Sequence, residues 1–229
     1  MPDLEEADTA RTSCVSWVWL SRSIPGDPSA IREQLESLSG IKSAYYAIAD
    51  EHSAHAARWT RDPANYLPQA RLAIEPEESN NSLLFNSLNS IFNLNYYICT
   101  TRTPLEIPLK PLETYAGTLQ LCCFKRLPEI DDAQLATLWH GEHTSIALET
   151  QSTEAYRQHW VDACQGPDFD GIVEEYFPLA AATSAEHFFA AANDPVKLKA
   201  NIEKLTASST RFLDLTQTSV IHLRDHRLV

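Results

Sequence analysis

The sequence predicts an α+β protein made of two successive βαββαβ units in one chain. In the first part, runs of β-branched and aromatic residues alternate with apolar stretches at helical spacing, in the order βαββαβ. A proline-rich stretch follows, and the same order of elements then starts again. Each unit covers one face of its sheet with helices, so two units can pair their bare faces and form an internal barrel-like dimer.

The first unit opens with a strand over 14–20, where aromatic and β-branched residues dominate. A Pro-Gly-Asp-Pro turn leads into a helix over 29–38, which Asp27 or Ser29 can cap and which Gly40 ends. The remaining predicted elements are a strand over 41–49, a polar loop over 50–68, a short strand over 71–75, a helix over 80–94 and a strand over 96–101.

Three prolines in 102–114 indicate a linker, after which the pattern repeats. The predicted elements of the second unit are a strand over 117–125, a helix from Asp131 or Asp132 to about 148, strands over 153–160 and 171–177, helices over 184–192 and 195–205, and a strand over 219–224. This order is that of a ferredoxin-like unit. The predicted division is a flexible tail at 1–12, a first unit at 13–102, a linker at 103–116 and a second unit at 117–229.

The charge composition limits which kinds of partner we expect the protein to bind. The chain has 229 residues, with 18 basic and 31 acidic side chains and a net charge of −13. Such a surface repels phosphate backbones and anionic lipid heads, so we expect neither nucleic acid nor membrane as a partner. The polar N-terminus lacks the features of a signal peptide, and no apolar run is long enough to cross a bilayer. We therefore expect a cytoplasmic protein that acts on a small molecule.

Several kinds of site are not indicated. The five cysteines have neither regular spacing nor a C-x2-C pair, which argues against a disulfide framework and a cysteine zinc site. Cys122 and Cys123 lie in mid-strand and are interpreted as packing residues. The sequence also lacks G-x-S-x-G, G-x-G-x-x-G and P-loop motifs, so serine hydrolase, dinucleotide and nucleotide-hydrolysis sites are not predicted.

Four motifs follow one another in the second half. They are W-x3-H at Trp139–His143, Y-x-Q at Tyr156–Gln158, D-G followed by two apolar residues and E-x-x-F at Asp170–Phe177, and Arg211-Phe-Leu-Asp214. Over about residues 117–228, this succession resembles the EthD-like family of the dimeric α+β-barrel superfamily. Thr144-Ser145 stand where that family usually has Gly-Pro. The first predicted helix contains neither histidine nor tryptophan, so the first unit is interpreted as a degenerate copy without a site.

The resemblance implies a cavity between the sheet and its helices, and a homodimer. Relatives with this barrel include cofactor-free monooxygenases, polyketide cyclases, muconolactone isomerases, dehydratases and haem-binding enzymes. Our leading hypothesis is a cofactor-independent acid/base enzyme, a lyase, cyclase or isomerase, that acts on a small apolar carbonyl compound of aromatic or polyketide type. The alternatives are an oxygenase of the same barrel, cofactor-free or haem-dependent, and a non-catalytic ligand-binding accessory protein of a catabolic or biosynthetic pathway.

His143 is the predicted general acid/base, because an imidazole titrates near neutral pH. Trp139 precedes it by four residues, so the two share a helix face and Trp139 is expected to form the cavity wall. Strand alternation puts Tyr156 and Gln158 on one face, where they can bind a substrate carbonyl. Glu174 is expected to orient His143 if the two lie together. Further predicted binding residues are His140, Tyr176 and Phe177.

Structural interpretations of these residues stay open. His143 can be a core histidine that donates to a backbone carbonyl, and Gln158 can bond a neighbouring loop. Glu174 can face solvent or pair with Lys125. Two H-x2-H pairs occur, at 52–55 and 140–143, but the sequence shows no third ligand, so no metal site is assigned. Bound haem or a divalent metal stays an alternative to the cofactor-free site.

Overall fold

The chain forms a closed barrel of antiparallel β-strands in the order β1-β3-β2-β8-β5-β7-β6-β4. The computed structural model describes residues 13–92, 94–107 and 109–229, and the predicted tail at 1–12 lies outside them. The strands are β1 Cys14–Ser21, β2 Ile41–Ile48, β3 Ala70–Pro76, β4 Asn95–Leu105, β5 Thr118–Arg126, β6 Ala155–Gln165, β7 Gly171–Phe177 and β8 Leu213–Arg227.

The strand order is that of two ferredoxin-like sheets, β4-β1-β3-β2 and β8-β5-β7-β6, joined edge to edge. One seam pairs β2 with β8, with Tyr45 opposite Arg227. The other seam pairs β4 with β6, with Thr101 opposite His159. The barrel therefore closes within a single chain, which confirms the predicted fold class.

The helices lie outside the barrel. They are α1 Pro28–Glu36, α2 Ser82–Phe92, α3 Asp132–Leu135, α4 Thr144–Thr150, α5 Leu179–Thr183, α6 Ala185–Phe188 and α7 Pro195–Ser209, with a 3-10 helix at Ser53–Trp59 and a π-helix at Ala136–His143. Successive residues of a strand point alternately into the barrel and out towards the helices. Val18 and Leu20 pack inside the barrel, whereas Trp17 and Trp19 pack outside it under α1 and α2.

The strand and helix boundaries differ from prediction where tertiary pairing extends an element. Strand β4 continues to Leu105, inside the predicted linker, because Leu105 pairs with Tyr156 of β6. Strand β8 begins at Leu213 rather than at 219, because β5 offers partners as far as Arg126. The predicted helix at 184–192 is shorter, α6 Ala185–Phe188, and a further short helix, α5 Leu179–Thr183, precedes it.

Connections cover both ends of the barrel. Residues 106–107 and 109–117 lie across the end where β4 stops and β5 starts, and Leu109 and Tyr115 pack into the barrel core. We call this the linker end. Tyr66 and Phe169 close the opposite end, with ring centroids 5.8 Å apart. In the described part of the chain, no helix has the length and apolar character needed to span a membrane.

Candidate functional site

A cavity of about 200 Å³ lies between the outer face of the second unit's sheet and the helices that cover it. We call it the helix-side cavity. Its lining includes aromatic and titratable side chains, among them Phe124, Trp139, His143, Tyr156, Glu175 and Phe212. The predicted cavity between sheet and helices is thus present, and three of the predicted site residues line it.

Trp139 forms the wall of this cavity against the sheet. Its ring is 1% exposed and meets Phe124 edge-on, with centroids 4.9 Å apart. Gly171 in β7 makes this approach possible, since a Cβ at that position would lie 2.7 Å from the Trp139 ring and 2.5 Å from Phe124. The glycine of the D-G motif is therefore needed for the tryptophan to pack on the strand.

A π-helix brings His143 to the cavity. The helical segment starts at a capping box in which Asp131 accepts from the Gln134 backbone N–H while the Gln134 side chain accepts from the Asp131 backbone N–H. The turn then widens, and the Thr144 backbone N–H donates to the Trp139 carbonyl oxygen five residues earlier. The Thr144 hydroxyl donates to the same oxygen at 2.8 Å. Such π-segments are frequent at functional sites.

His143 is a neutral imidazole at physiological pH. Burial lowers its pKa to about 4. Nδ1 lies 3.0 Å from the Ser208 hydroxyl of α7, and the ring packs on Phe212 at 5.2 Å. Within the described part of the chain, Nε2 makes no hydrogen bond. In the tautomer that donates from Nδ1 to Ser208, Nε2 carries the lone pair and can accept a proton.

Glu175 is the carboxyl group of the cavity. It is 6% exposed, and burial raises its pKa to about 7, slightly offset by its hydrogen bond from Thr153. Gln120 Nε2 donates to Oε2 at 3.3 Å and the Thr153 hydroxyl to Oε1 at 3.5 Å. These hydrogen bonds are long and stabilise the ionised carboxylate only weakly, so the cost of burying its charge dominates. A large share of Glu175 is therefore protonated near neutral pH. The cavity thus holds a neutral base and a protonated acid together.

Tyr156 presents a neutral phenol to the same cavity. Burial, followed by the charge of Glu175, raises the pKa of Tyr156 far above its usual value. Gln158 Nε2 donates to the Tyr156 oxygen at 3.3 Å and to the Thr144 oxygen at 3.0 Å. Gln158 therefore holds Tyr156 and the helix in place. The predicted shared face of Tyr156 and Gln158 is confirmed.

Glu174 does not lie beside His143, which corrects the expected pairing. Successive residues of β7 point to opposite faces of the sheet, and Glu174 points into the barrel. There it lies 2.9 Å from Arg71 Nε and 3.2 Å from Arg157 Nη1. Attraction to these two guanidinium groups, against the cost of burial, holds the pKa of Glu174 far below its usual value. Lys125, the other expected partner of Glu174, pairs instead with Asp168 at 2.9 Å.

Four predicted binding residues do not line the helix-side cavity: Gln158, which bonds Tyr156 and Thr144 instead, and Tyr176, Phe177 and His140. Tyr176 points into the barrel, and its hydroxyl donates to Asp225 at 2.6 Å. Phe177 stacks on Phe188 with centroids 4.5 Å apart. His140 packs against Trp139 and against Trp160, with a centroid distance of 5.7 Å to the latter. Some residues of the four motifs therefore line the cavity, whereas others pack in the surrounding core.

The four motifs did not identify Glu175, because the family pattern marks the preceding glutamate. Strand alternation could have identified Glu175, because it lies opposite Tyr156 in the β6–β7 pair and on the same sheet face as Tyr156.

Cys122 also lines the cavity, and burial raises the pKa of its thiol to about 12, so it is no nucleophile at neutral pH. Among residues 13–92, 94–107 and 109–229, no three His, Cys, Asp or Glu side chains gather as a metal-ligand group.

Aromatic rings fill the corresponding face of the first unit. Trp17 and Trp19 stand under α2 and both contact Phe85, at centroid distances of 5.3 Å and 5.8 Å. Phe85 in turn meets Tyr96 edge-on at 5.0 Å. Large side chains thus occupy the space that holds the cavity in the second unit.

Comparison with solved structures shows the fold but no narrower relationship. An anthrone oxidase-like protein superposes with a TM-score of 0.53 and 10% identity, covering 94% of this chain and 93% of the other. A candidate monooxygenase from Fusobacterium nucleatum subsp. nucleatum gives 0.50 and 11%, covering 96% and 94%. No family model matches the chain, and no curated protein matches its sequence. The EthD-like resemblance stays a prediction, whereas the dimeric α+β-barrel fold is shown.

Proposed function

We propose that the protein is a small-molecule enzyme that performs acid/base chemistry in the helix-side cavity. The observation that carries this proposal is the pairing of a neutral imidazole, His143, with a carboxyl of raised pKa, Glu175, in one cavity walled by aromatic rings. Two titratable groups whose environments push their pKa values in opposite directions mark the acid and the base of a site.

The roles follow from the protonation states. His143 Nε2 removes a proton from an acidic C–H next to a carbonyl group. The neutral Tyr156 phenol and the protonated Glu175 carboxyl donate hydrogen bonds to the oxygen that gains negative charge. Ser208 orients the imidazole, and Trp139 holds the apolar body of the substrate. Elimination, cyclisation or isomerisation of an aromatic or polyketide-like carbonyl compound starts with this step, so the proposed class is a lyase, cyclase or isomerase that needs no cofactor.

Oxygenation is the second candidate. The carbanion formed by proton removal can react with molecular oxygen, and two of the proteins with a similar fold are an anthrone oxidase-like protein and a candidate monooxygenase. Oxygen uptake during turnover separates this reaction from elimination or isomerisation. A haem-dependent form adds a haem absorption band to the purified protein. A ligand that binds and is recovered unchanged indicates an accessory protein instead.

The proton-removal step can be tested without the natural substrate. We would follow exchange of the acidic C–H of β-tetralone for deuterium by ¹H NMR in D₂O, with wild type and His143→Gln. We expect exchange above the buffer rate for wild type and a loss of about 10²–10⁴-fold in the variant, the usual contribution of a general base. His187→Gln, at an exposed histidine of α6, is the matched control. Equal exchange by wild type and His143→Gln would contradict the proposal.

Association of two barrels is a separate question. Because the barrel closes within one chain, a second chain is not needed to complete the sheet. The homodimer implied by the resemblance therefore needs an interface outside the barrel seams. Size-exclusion chromatography with light scattering tests it.

A further inference from the structure

A second cavity, of about 380 Å³, opens at the linker end of the barrel. We call it the lumen cavity. Residues of β1, β2, β3, β4 and β6 line it, and Glu106 and Ile107 of the linker lie at its rim. It is separate from the helix-side cavity, which lies on the outer face of β5, β6 and β7. Its volume falls in the usual range of small-molecule sites, roughly 300–1000 Å³.

Arg157 is the most buried of the charged groups that line this cavity. Its side chain is 12% exposed, and its guanidinium stacks over the Tyr45 ring at 4.4 Å. Nη1 is engaged by Glu174 at 3.2 Å. Within the described part of the chain, Nε and Nη2 make no hydrogen bond. These two groups form the side-on edge of the guanidinium, which matches the two oxygens of a carboxylate.

The three arginines inside the barrel differ in how their guanidinium groups are engaged. Inward-facing Arg71, Arg157 and Arg227 stand against two carboxylates, Glu174 and Asp225. Arg71 is fully buried and engages both carboxylates, at 2.9 Å and 3.1 Å, so its charge is satisfied. Arg227 bonds two backbone carbonyl oxygens, those of Leu109 and Val229. The guanidinium edge that faces the cavity is therefore that of Arg157.

The other charges at the cavity restrict the ligand to a low negative charge. Lys42 Nζ is 2.6 Å from Glu75, so these two neutralise each other. Glu106 is exposed at the rim and disfavours a multivalent anion such as phosphate. Ser16 and Thr101 add hydroxyl groups from β1 and β4. A single carboxylate with a small organic body that contacts the Tyr45 ring fits this pattern.

We propose that the lumen cavity is a binding site for a small organic monocarboxylate, whose carboxylate pairs with the Nε–Nη2 edge of Arg157. The site is independent of the acid/base reaction in the helix-side cavity. A ligand bound there occupies the barrel interior and contacts strands of both units.

The test is isothermal titration calorimetry with benzoate, 4-hydroxybenzoate, hexanoate and pyruvate, each beside its primary amide. We expect at least one carboxylate to bind and its amide to bind at least tenfold more weakly. Arg157→Gln should weaken the carboxylate at least tenfold, whereas Arg126→Gln, at a partly exposed arginine of β5 at the opposite end, should leave it unchanged. His143→Gln should also leave binding unchanged, which separates this site from the proposed catalytic one.

A second measurement covers the case in which Arg157→Gln does not fold. Cys14 lines the lumen cavity, so a bound carboxylate should slow its alkylation by iodoacetamide at least fivefold, as read by peptide mass spectrometry, without slowing that of Cys164 at the opposite end. Ser16→Leu, which puts a larger side chain into the lining of the cavity, should abolish binding. The proposal is overturned if no carboxylate in the panel binds, if amides or inorganic phosphate bind equally well, or if Cys14 is not protected.

Discussion

Glu174 and Glu175 are consecutive in strand β7 and lie on opposite sides of the barrel wall. Glu174 is ion-paired inside the barrel with Arg71 and Arg157. Glu175 lies in the helix-side cavity and has no cationic partner among the described residues. The same side chain is therefore an anion at one position, whereas at the next it is still protonated in a substantial fraction near pH 7. This contrast gives the two carboxyl groups different expected roles, in stability and in chemistry.

The first prediction concerns the pH dependence of stability. The folded pKa of Glu175, about 7, exceeds its ordinary value of 4.5, so the folded state binds more protons between these pH values. The contribution of Glu175 is present below pH 4.5 and is lost as pH rises towards 7, on the order of 3 kcal/mol in all. We expect Glu175→Gln to remove this fall, as measured by urea unfolding at several pH values.

The comparison must be made between variants, because His143 acts with the opposite sign. Its folded pKa of about 4 lies below the ordinary 6.5, so its contribution is present above pH 6.5 and is lost as pH falls towards 4. The difference between wild type and Glu175→Gln cancels this term. Glu203→Gln, at an exposed glutamate of α7, should leave the pH profile unchanged. A wild-type profile retained in Glu175→Gln would refute the assignment.

The second prediction concerns Glu174. Glu174→Gln should destabilise the fold by about 3–5 kcal/mol, because it leaves Arg157 without its carboxylate inside the barrel. Deuterium exchange of β-tetralone by the remaining folded protein should stay within about threefold of wild type, since Glu174 does not line the helix-side cavity. Exchange that is lost in folded Glu174→Gln but kept in Glu175→Gln would reverse the roles of the two glutamates.

The third prediction concerns the packing of Trp139 on β7. Gly171→Ala places a Cβ 2.7 Å from the Trp139 ring and should cost about 1–3 kcal/mol by overpacking. The displaced ring should also change the tryptophan emission spectrum. Gly141→Ala is the matched control, since its Cβ meets no atom within 4 Å. If both variants are equally stable, the close approach of Trp139 to the strand is wrong.

The fourth prediction concerns Ser208 as a positioning residue. Ser208→Ala removes the partner of His143 Nδ1 and should slow exchange by about tenfold, less than His143→Gln. The fraction of the Nε2–H tautomer, read from ¹⁵N chemical shifts, should rise in the same variant. Ser208→Thr keeps a hydroxyl and should restore part of the rate. A tautomer ratio that does not change in Ser208→Ala would show that the bond does not orient the ring.

The sequence predicts much of the fold because the signals are local. Alternation separates Val18 from Trp17 and Tyr156 from Arg157, and all eight strands of the described chain lie at predicted places. The ends of β4 and β8 depend on pairing with distant strands, as Leu105 does with Tyr156, and local patterns carry no information on that pairing.

The site could be predicted only in part for a similar reason. Trp139, His143 and Tyr156 line the cavity as their motifs indicate. Which of two adjacent glutamates shares that cavity depends on which sheet face the helices cover, and the motif pointed to Glu174. The ion-pair network inside the barrel joins Arg71, Glu174 and Asp225 from three strands, and no spacing in the sequence connects them.

The proposed chemistry requires that a protonated carboxyl and a neutral imidazole share the helix-side cavity near neutral pH. The decisive experiment is a ¹³C NMR titration of protein labelled at the glutamate carboxyl carbon, with Glu175→Gln used to assign the resonance. We predict a carboxyl signal with a midpoint near pH 7 that is absent from Glu175→Gln. If every glutamate titrates below pH 5, Glu175 is an ordinary carboxylate and the acid/base pair does not exist.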